Sequence, residues 1–134
     1  MSLPLFFNDG ELIPQSFLLL DDDTAKHIVQ VLRMGIGERL ILTNGCGIAA
    51  EATITDATKK KCTVQITSIT KHSQRTPKLH LAVAFTKNTA RNEWLLEKAT
   101  ELGASSIIPI IATRTERERI RYDRWKNILI AAMM

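Results

Sequence analysis

The hydrophobic period changes once along this chain, and that change limits the fold more than any single motif does. Between Glu38 and Thr70 the apolar residues come in short alternations broken by turns, as in strands with one buried face. "RLILTNGCG" ends a strand at Asn44-Gly45, a dipeptide suited to a tight hairpin because both residues tolerate positive φ. "IAAEATITDA" then runs to Asp56, "TKKK" turns the chain, and "CTVQITSIT" alternates Val64, Ile66 and Ile69. The pattern predicts an antiparallel meander.

Upstream, "DDDTAKHIVQVLRMGIG" predicts one helix. Asp23 or Thr24 caps it, Asp21 to Asp23 suit its positive end, Ile28, Val31 and Leu32 form its apolar stripe, and Gly35 stops it. The opening "PLFFN" adds one more strand. Several short strands and one helix in so few residues imply a small, partly open β-barrel.

After the polar stretch "KHSQRTPK" the period becomes that of alternating strands and helices. "LHLAVAF" has little polarity on either face, as expected of a strand covered on both sides. Asn88 or Thr89 caps "ARNEWLLEKATEL", whose Leu95, Leu96, Ala99 and Leu102 share one face, and Gly103 follows at the C-terminal cap. "SSIIPIIA" is a second strand, and a helix starts at Tyr122 or Asp123. This β-α-β-α order implies a parallel sheet with a right-handed crossover. The expected class is therefore α+β overall: a barrel over residues 1–72, a linker over 73–78, and a parallel α/β segment over 79–134. The last helix ends on Ala131, Ala132, Met133 and Met134 without a glycine, proline or polar turn. Two strands and two helices cannot cover both faces of a sheet, so the expectation is a truncated domain whose remaining strands lie beyond Met134.

Charge is divided unevenly. Residues 1–72 hold seven Lys/Arg against eight Asp/Glu, and residues 73–134 hold eleven against six, for a total of +4 over 134 residues. Such asymmetry fits a polyanionic partner as well as an inert basic surface. No apolar run spans a bilayer and no signal peptide opens the chain, so no membrane role and a cytoplasmic location are expected. Cys46 and Cys62 are sixteen positions apart, and His27, His72 and His80 are scattered; reduced thiols and no metal site are expected.

Ligands of open parallel sheets sit beyond the carboxyl ends of the strands. Those positions are held here by "TKNTAR" and "TRTERER", which makes Lys87 and Arg114 the best-placed charges. Each could meet a phosphate or a developing anion, and each could equally solvate its loop. Glu97, Lys98 and Glu101 read as a surface ion-pair group, with a general-base glutamate as the alternative. The arginines 114, 117, 119, 121 and 124 interleave with Glu116, Glu118 and Asp123, either as a solvated face or as a phosphate track. In the first half, His27, Lys26 and Arg33 lie near one helix, and Lys59 to Lys61 occupy a hairpin; a helix histidine, a dipole-complementing arginine and a soluble turn are the simpler readings. Few aromatics accompany these charges, so shape and phosphate readout fit better than base stacking.

The blocks "HIVQVLRMGIGERLILTNGCG", "KNTARNEWLLEKATELGASSIIPIIATRTE" and "RWKNILIAAMM" resemble the bacterial 16S rRNA uridine-N3 methyltransferase family, the ribosomal RNA small subunit methyltransferases E. The likeness covers essentially the whole chain. It implies a PUA-like RNA-binding barrel followed by a knotted methyltransferase domain of the SPOUT class, truncated here. It also implies S-adenosylmethionine as methyl donor, 16S rRNA in the small ribosomal subunit as partner, a role in ribosome biogenesis, and a homodimer at full length. Carried onto matching positions, His27, Arg33, Lys87, Arg91 and Arg114 become the expected RNA contacts, while Gly103 is structural and no catalytic base is assigned. The family's glycine-rich "GPEGG"-like cofactor segment has no counterpart in this sequence, so no S-adenosylmethionine is expected to bind this chain and no turnover is expected from it. Two readings follow, a methyltransferase fragment and a stand-alone rRNA-binding module; the uncapped end at Met134 favours the first.

Overall fold

A computed structural model describes residues 2–74, 76–116 and 119–134, and in it the chain divides into two compact units, residues 1–74 and 75–134. In the first unit, β1 (Leu5–Phe7), β3 (Arg39–Thr43), β4 (Ile48–Ala57), β5 (Cys62–Lys71) and β2 (Phe17–Leu19) form one sheet in that spatial order. The β3-β4-β5 run is the expected antiparallel meander; β1 joins β3 in parallel and β2 pairs with β5. Register explains the core. Leu42 faces Ala50, Leu40 faces Ala52, and Ile54 faces Val64, so large and small side chains alternate and all six are buried. Phe6 of β1, Leu20 just after β2, and Ala25 and Ile28 of the helical segment close that core. Burying one such leucine or isoleucine stabilises the unit by about 1.5–3 kcal/mol.

Several local expectations are corrected. Strand β2 is missing from the sequence reading, because "FLLL" is too short to show a period. The β3-β4 connection is not a two-residue turn: it spans Asn44 to Gly47, with positive φ at Gly45 and Gly47. Asn44 Oδ1 accepts from the Cys46 N–H at 2.8 Å, so Asn44 shapes the loop through its side chain. Gly47 is required twice over: its φ is +82, and a Cβ there would come within 3.0 Å of the His72 carbonyl oxygen.

The expected single helix is two pieces, α1 (Asp22–Lys26) and a π turn at His27–Val31. Its cap is Asp21, whose Oδ1 accepts from the Thr24 N–H at 2.9 Å, and not Asp23 or Thr24. It stops before Gly35. The Leu32 N–H donates to His27 O and the Met34 N–H to Ile28 O, wider than α-helical spacing, and Arg33 turns left-handed at φ 56. Glycine usually takes that position, and Arg33 holds it at a steric cost of about 1–2 kcal/mol.

In the second unit, β6 (His80–Val83) and β7 (Ser106–Pro109) are parallel and joined through α2 (Thr89–Glu101); α3 (Tyr122–Met133) follows. Asn88 Oδ1 caps α2 by accepting from the Arg91 N–H, and Gly103 has the left-handed φ of a C-terminal cap. Leu96, Phe85 and Trp125 form the core with Val83, Leu95, Ile107 and Ile128 around them. The Phe85 and Trp125 ring centroids lie 4.4 Å apart. Burial on both faces of β6 is not observed: His80 and Ala82 are exposed, as is Ile108 of β7, because both helices pack onto the core that holds Val83 and Ile107. Leu102 also departs from the expected apolar face. It sits at the C-cap, past the last turn that reaches the core, and is 83 % exposed.

Candidate nucleic-acid interface

The carboxyl ends of β6 and β7 bring two loops together, as the parallel topology demands. The Lys87 N–H donates to Glu116 Oε2 at 3.2 Å, which ties the loop after β6 to the loop after β7. Between them lies a cleft of about 330 Å³ lined by Phe85, Thr86, Ala112, Arg114, Thr115 and Glu116 among others. The Thr115 hydroxyl accepts from the Ala112 N–H at 2.6 Å and shapes the turn that carries Arg114.

The Lys87 loop is held from below by Asn92, a polar side chain only 4 % exposed. Its Oδ1 accepts from the Thr86 N–H at 3.1 Å and from the Thr86 hydroxyl at 3.2 Å, and its Nδ2 donates to Thr86 O at 2.7 Å. The Asn88 N–H donates to the Thr86 hydroxyl, so Thr86 links Asn92 to the helix cap. Asn92 is absent from the sequence-derived site. Its one signal is that asparagine is a poor helix former in mid-helix, where a tertiary partner must justify it. Glu116 appeared there only as one acid in an alternating run.

Lys87, Arg91 and Arg114 are all exposed. Among the described residues none of the three is in an ion pair, so their charges are available to an anion. Arg114 lines the cleft, Lys87 precedes the α2 cap, and Arg91 lies in the first turn of α2. The other arginines divide. Arg124 forms a two-pronged pair with Glu93, its Nη2 lying 3.1 Å from Oε2, and that hydrogen bonding raises its pKa. Arg124 therefore joins α3 to α2 and is not part of an open phosphate track. Arg117 and Glu118 lie outside the described residues.

Lys98 lies 3.0 Å from carboxylate oxygens of both Glu97 and Glu101. The hydrogen bond from Lys98 lowers the pKa of Glu97, the opposite of what a general base needs. The ion-pair reading of this group holds.

In the first unit, His27 opens the π turn and Arg33 follows two residues after its end. The His27 ring meets the buried Phe6 edge-on at 5.8 Å, and His27 and Arg33 are both exposed. Arg33 has no ion-pair partner among the described residues. Cys46 and Cys62 are free thiols; burial, then the nearby Asp56 charge, raises the Cys62 pKa. No His, Cys, Asp and Glu side chains cluster as a metal would require among the described residues, and no helix there is long and apolar enough to cross a membrane.

The order of the two units corresponds to that of a known pair of domains. Residues 20–67 match the RNA methyltransferase PUA domain, and residues 72–134 match the RNA methyltransferase domain. Both units are thus similar to domains of RNA methyltransferases, in the order those enzymes carry them. The chain is 29% identical over 109 residues to the ribosomal RNA small subunit methyltransferase E of Bacillus subtilis, covering 76% of this chain and 42% of that protein. A structure of the same enzyme from Neisseria gonorrhoeae, bound to S-adenosyl methionine, superposes with a TM-score of 0.84 at 26% identity, over 98% of this chain and 55% of that one. A protein from Porphyromonas gingivalis described as a probable rRNA-methyltransferase gives 0.87 at 37% identity, over 98% and 54%. The chain thus spans about half the length of these relatives.

Proposed function

We propose that the chain is the RNA-contacting part of an enzyme that methylates N3 of a uridine in small-subunit rRNA, working in the cytoplasm as a homodimer when whole. The observation that carries the reading is the Glu116 carboxylate accepting from the Lys87 N–H, which joins the Lys87 loop to the loop whose Arg114 lines the cleft at the strand ends. Support also comes from the resemblance to ribosomal RNA small subunit methyltransferases E. The barrel-like first unit, read as PUA-like, contributes His27 and Arg33; the second, read as part of a SPOUT domain, contributes Lys87, Arg91 and Arg114. Arginine can hold a phosphate with two parallel hydrogen bonds, whereas lysine supplies a point charge.

S-adenosylmethionine is the methyl donor of this reading, and it supplies an electrophilic methyl group when bound. Among the described residues, the cleft at the strand ends does not make its pocket. None of the chain's six glycines lines the cleft at the strand ends, so no bare backbone lies there for a nucleoside to approach closely. These residues therefore orient RNA by charge, and the 134 residues alone bind without turnover.

The test is affinity for in vitro transcribed small-subunit rRNA across a salt series. Arg33→Ala and Arg114→Ala should each flatten the slope of log K against log salt by roughly 0.7–0.9. Unchanged slopes in both variants would remove them as phosphate contacts. Incubation with S-adenosylmethionine and small subunits should give no methylated uridine by mass spectrometry, and product formation would refute the claim of binding without turnover.

A further inference from the structure

We infer that the Lys59–Lys61 turn is a second RNA-binding element, held beside the π turn by Gln30 so that the two make one basic edge. The inference rests on the reading that the first unit contacts RNA. Residues 1–72 carry a net charge of −1, yet five of their seven cations lie in or next to these two elements: Lys59 to Lys61 in the turn, Lys26 at the end of α1 just before the π turn, and Arg33 two residues after it. Of the other two, Arg39 is paired with Glu51 at 2.8 Å, and Lys71 lies at the far end of β5. Asp21 to Asp23 and Asp56 lie in the same stretches, so the local excess is a single positive charge and Lys59 to Lys61 are its densest part.

The lysine turn is built, not loose. The Thr58 N–H donates to Lys61 O at 2.8 Å, and the Lys61 N–H donates to the Thr58 hydroxyl at 3.1 Å. Gln30 Nε2 donates to Lys59 O at 2.8 Å, joining the turn to the π turn across 29 positions of sequence. A turn that serves solubility alone has no need of this tether. None of the three ammonium groups has an ion-pair partner among the described residues. Three successive like charges in a tight turn repel one another, and a polyanion that displaces its counterions relieves this.

The π turn beside it carries its own marks of a contact surface. Arg33 is held left-handed at φ 56, and Val31, Leu32 and Ile36 are 65%, 45% and 68% exposed. Residues kept strained and apolar residues kept exposed cluster where a partner binds. Cations spread over two elements fit a phosphate backbone better than one compact anion, and the apolar side chains can cover ribose or unstacked bases between phosphates.

The experiment compares salt slopes of the 134-residue chain on in vitro transcribed small-subunit rRNA, with circular dichroism confirming each fold. Lys59→Ser, Lys60→Ser and Lys61→Ser together should flatten the slope by roughly 2, at about 0.7–0.9 per phosphate contact. Lys71→Ser, roughly 30 Å away along β5, should leave it unchanged. Gln30→Ala keeps all three lysines and should still flatten the slope, by less than the triple variant; a purely structural glutamine would leave it as it was. An unchanged slope in the triple variant, with Arg33→Ala still flattening it, overturns this inference and leaves the proposed function standing. A loss with Lys71→Ser as large as that per turn lysine, or lysine-dependent binding to phosphatidylserine vesicles with rRNA binding intact, also overturns it. Absence of salt-dependent rRNA binding by the unaltered chain overturns both.

Discussion

Replacing Asn92 with alanine removes the side chain that fixes the Lys87 loop. Three hydrogen bonds to Thr86 are lost, one donated to its carbonyl at 2.7 Å and two accepted from its N–H and hydroxyl. Thr86 is exposed, so its freed groups regain water, and two net side-chain-to-backbone bonds correspond to about 2 kcal/mol. Alanine's better helix propensity returns up to ~0.6 kcal/mol, leaving a loss of about 1.5 kcal/mol. A 60-residue unit has roughly 3–9 kcal/mol of stability in all, so the change is large. Tryptophan emission isolates it: both tryptophans, Trp94 and Trp125, lie in the second unit, and Trp125 is buried against Phe85, one residue before Thr86. With a urea slope of ~1 kcal/mol/M, the fluorescence midpoint should fall by about 1.5 M. A fall of less than about 0.5 M would refute the claim that these bonds hold the loop.

Arg33→Gly relieves the left-handed strain and should leave the first unit equally stable or up to ~1 kcal/mol more stable in denaturation, while still flattening the rRNA salt slope. Leu42→Ala in the first core should cost about 3 kcal/mol by urea denaturation followed by far-ultraviolet circular dichroism. Partial burial pushes the Asp21 pKa up, but hydrogen bonds from Thr24 outweigh it and hold the carboxyl below its ordinary 3.8. A depressed carboxylate adds stability above its unfolded pKa and loses it as pH falls through the folded value, so Asp21→Asn should flatten the acid limb of the first unit's stability below about pH 4. With a thiol reagent, exposed Cys46 should react at once and buried Cys62 only on unfolding, giving one fast thiol per chain.

The elements legible in the sequence were those whose signals are local. Asn88 before a helical period and Gly103 after it mark α2 at both ends, and the alternation at Val64 and Ile66 marks β5 with its buried face. The π turn was not legible, since "HIVQVLR" fits an α-helical stripe and only the bonds to His27 O and Ile28 O widen it. The exposure of Leu102 depends on where α2 ends against its core, which periodicity does not record. At the candidate site, charge and strand order pointed to Lys87 and Arg114. The residues that position them, Asn92 and Glu116, act through tertiary hydrogen bonds that no spacing announces.

The most direct measurement of the central claim is the salt dependence of rRNA binding by the unaltered chain. Arg33, Lys87, Arg91 and Arg114 as four phosphate contacts predict a slope of log K against log salt at least as steep as about −3. A slope shallower than about −1 would contradict the assignment of this chain as an RNA-contacting unit.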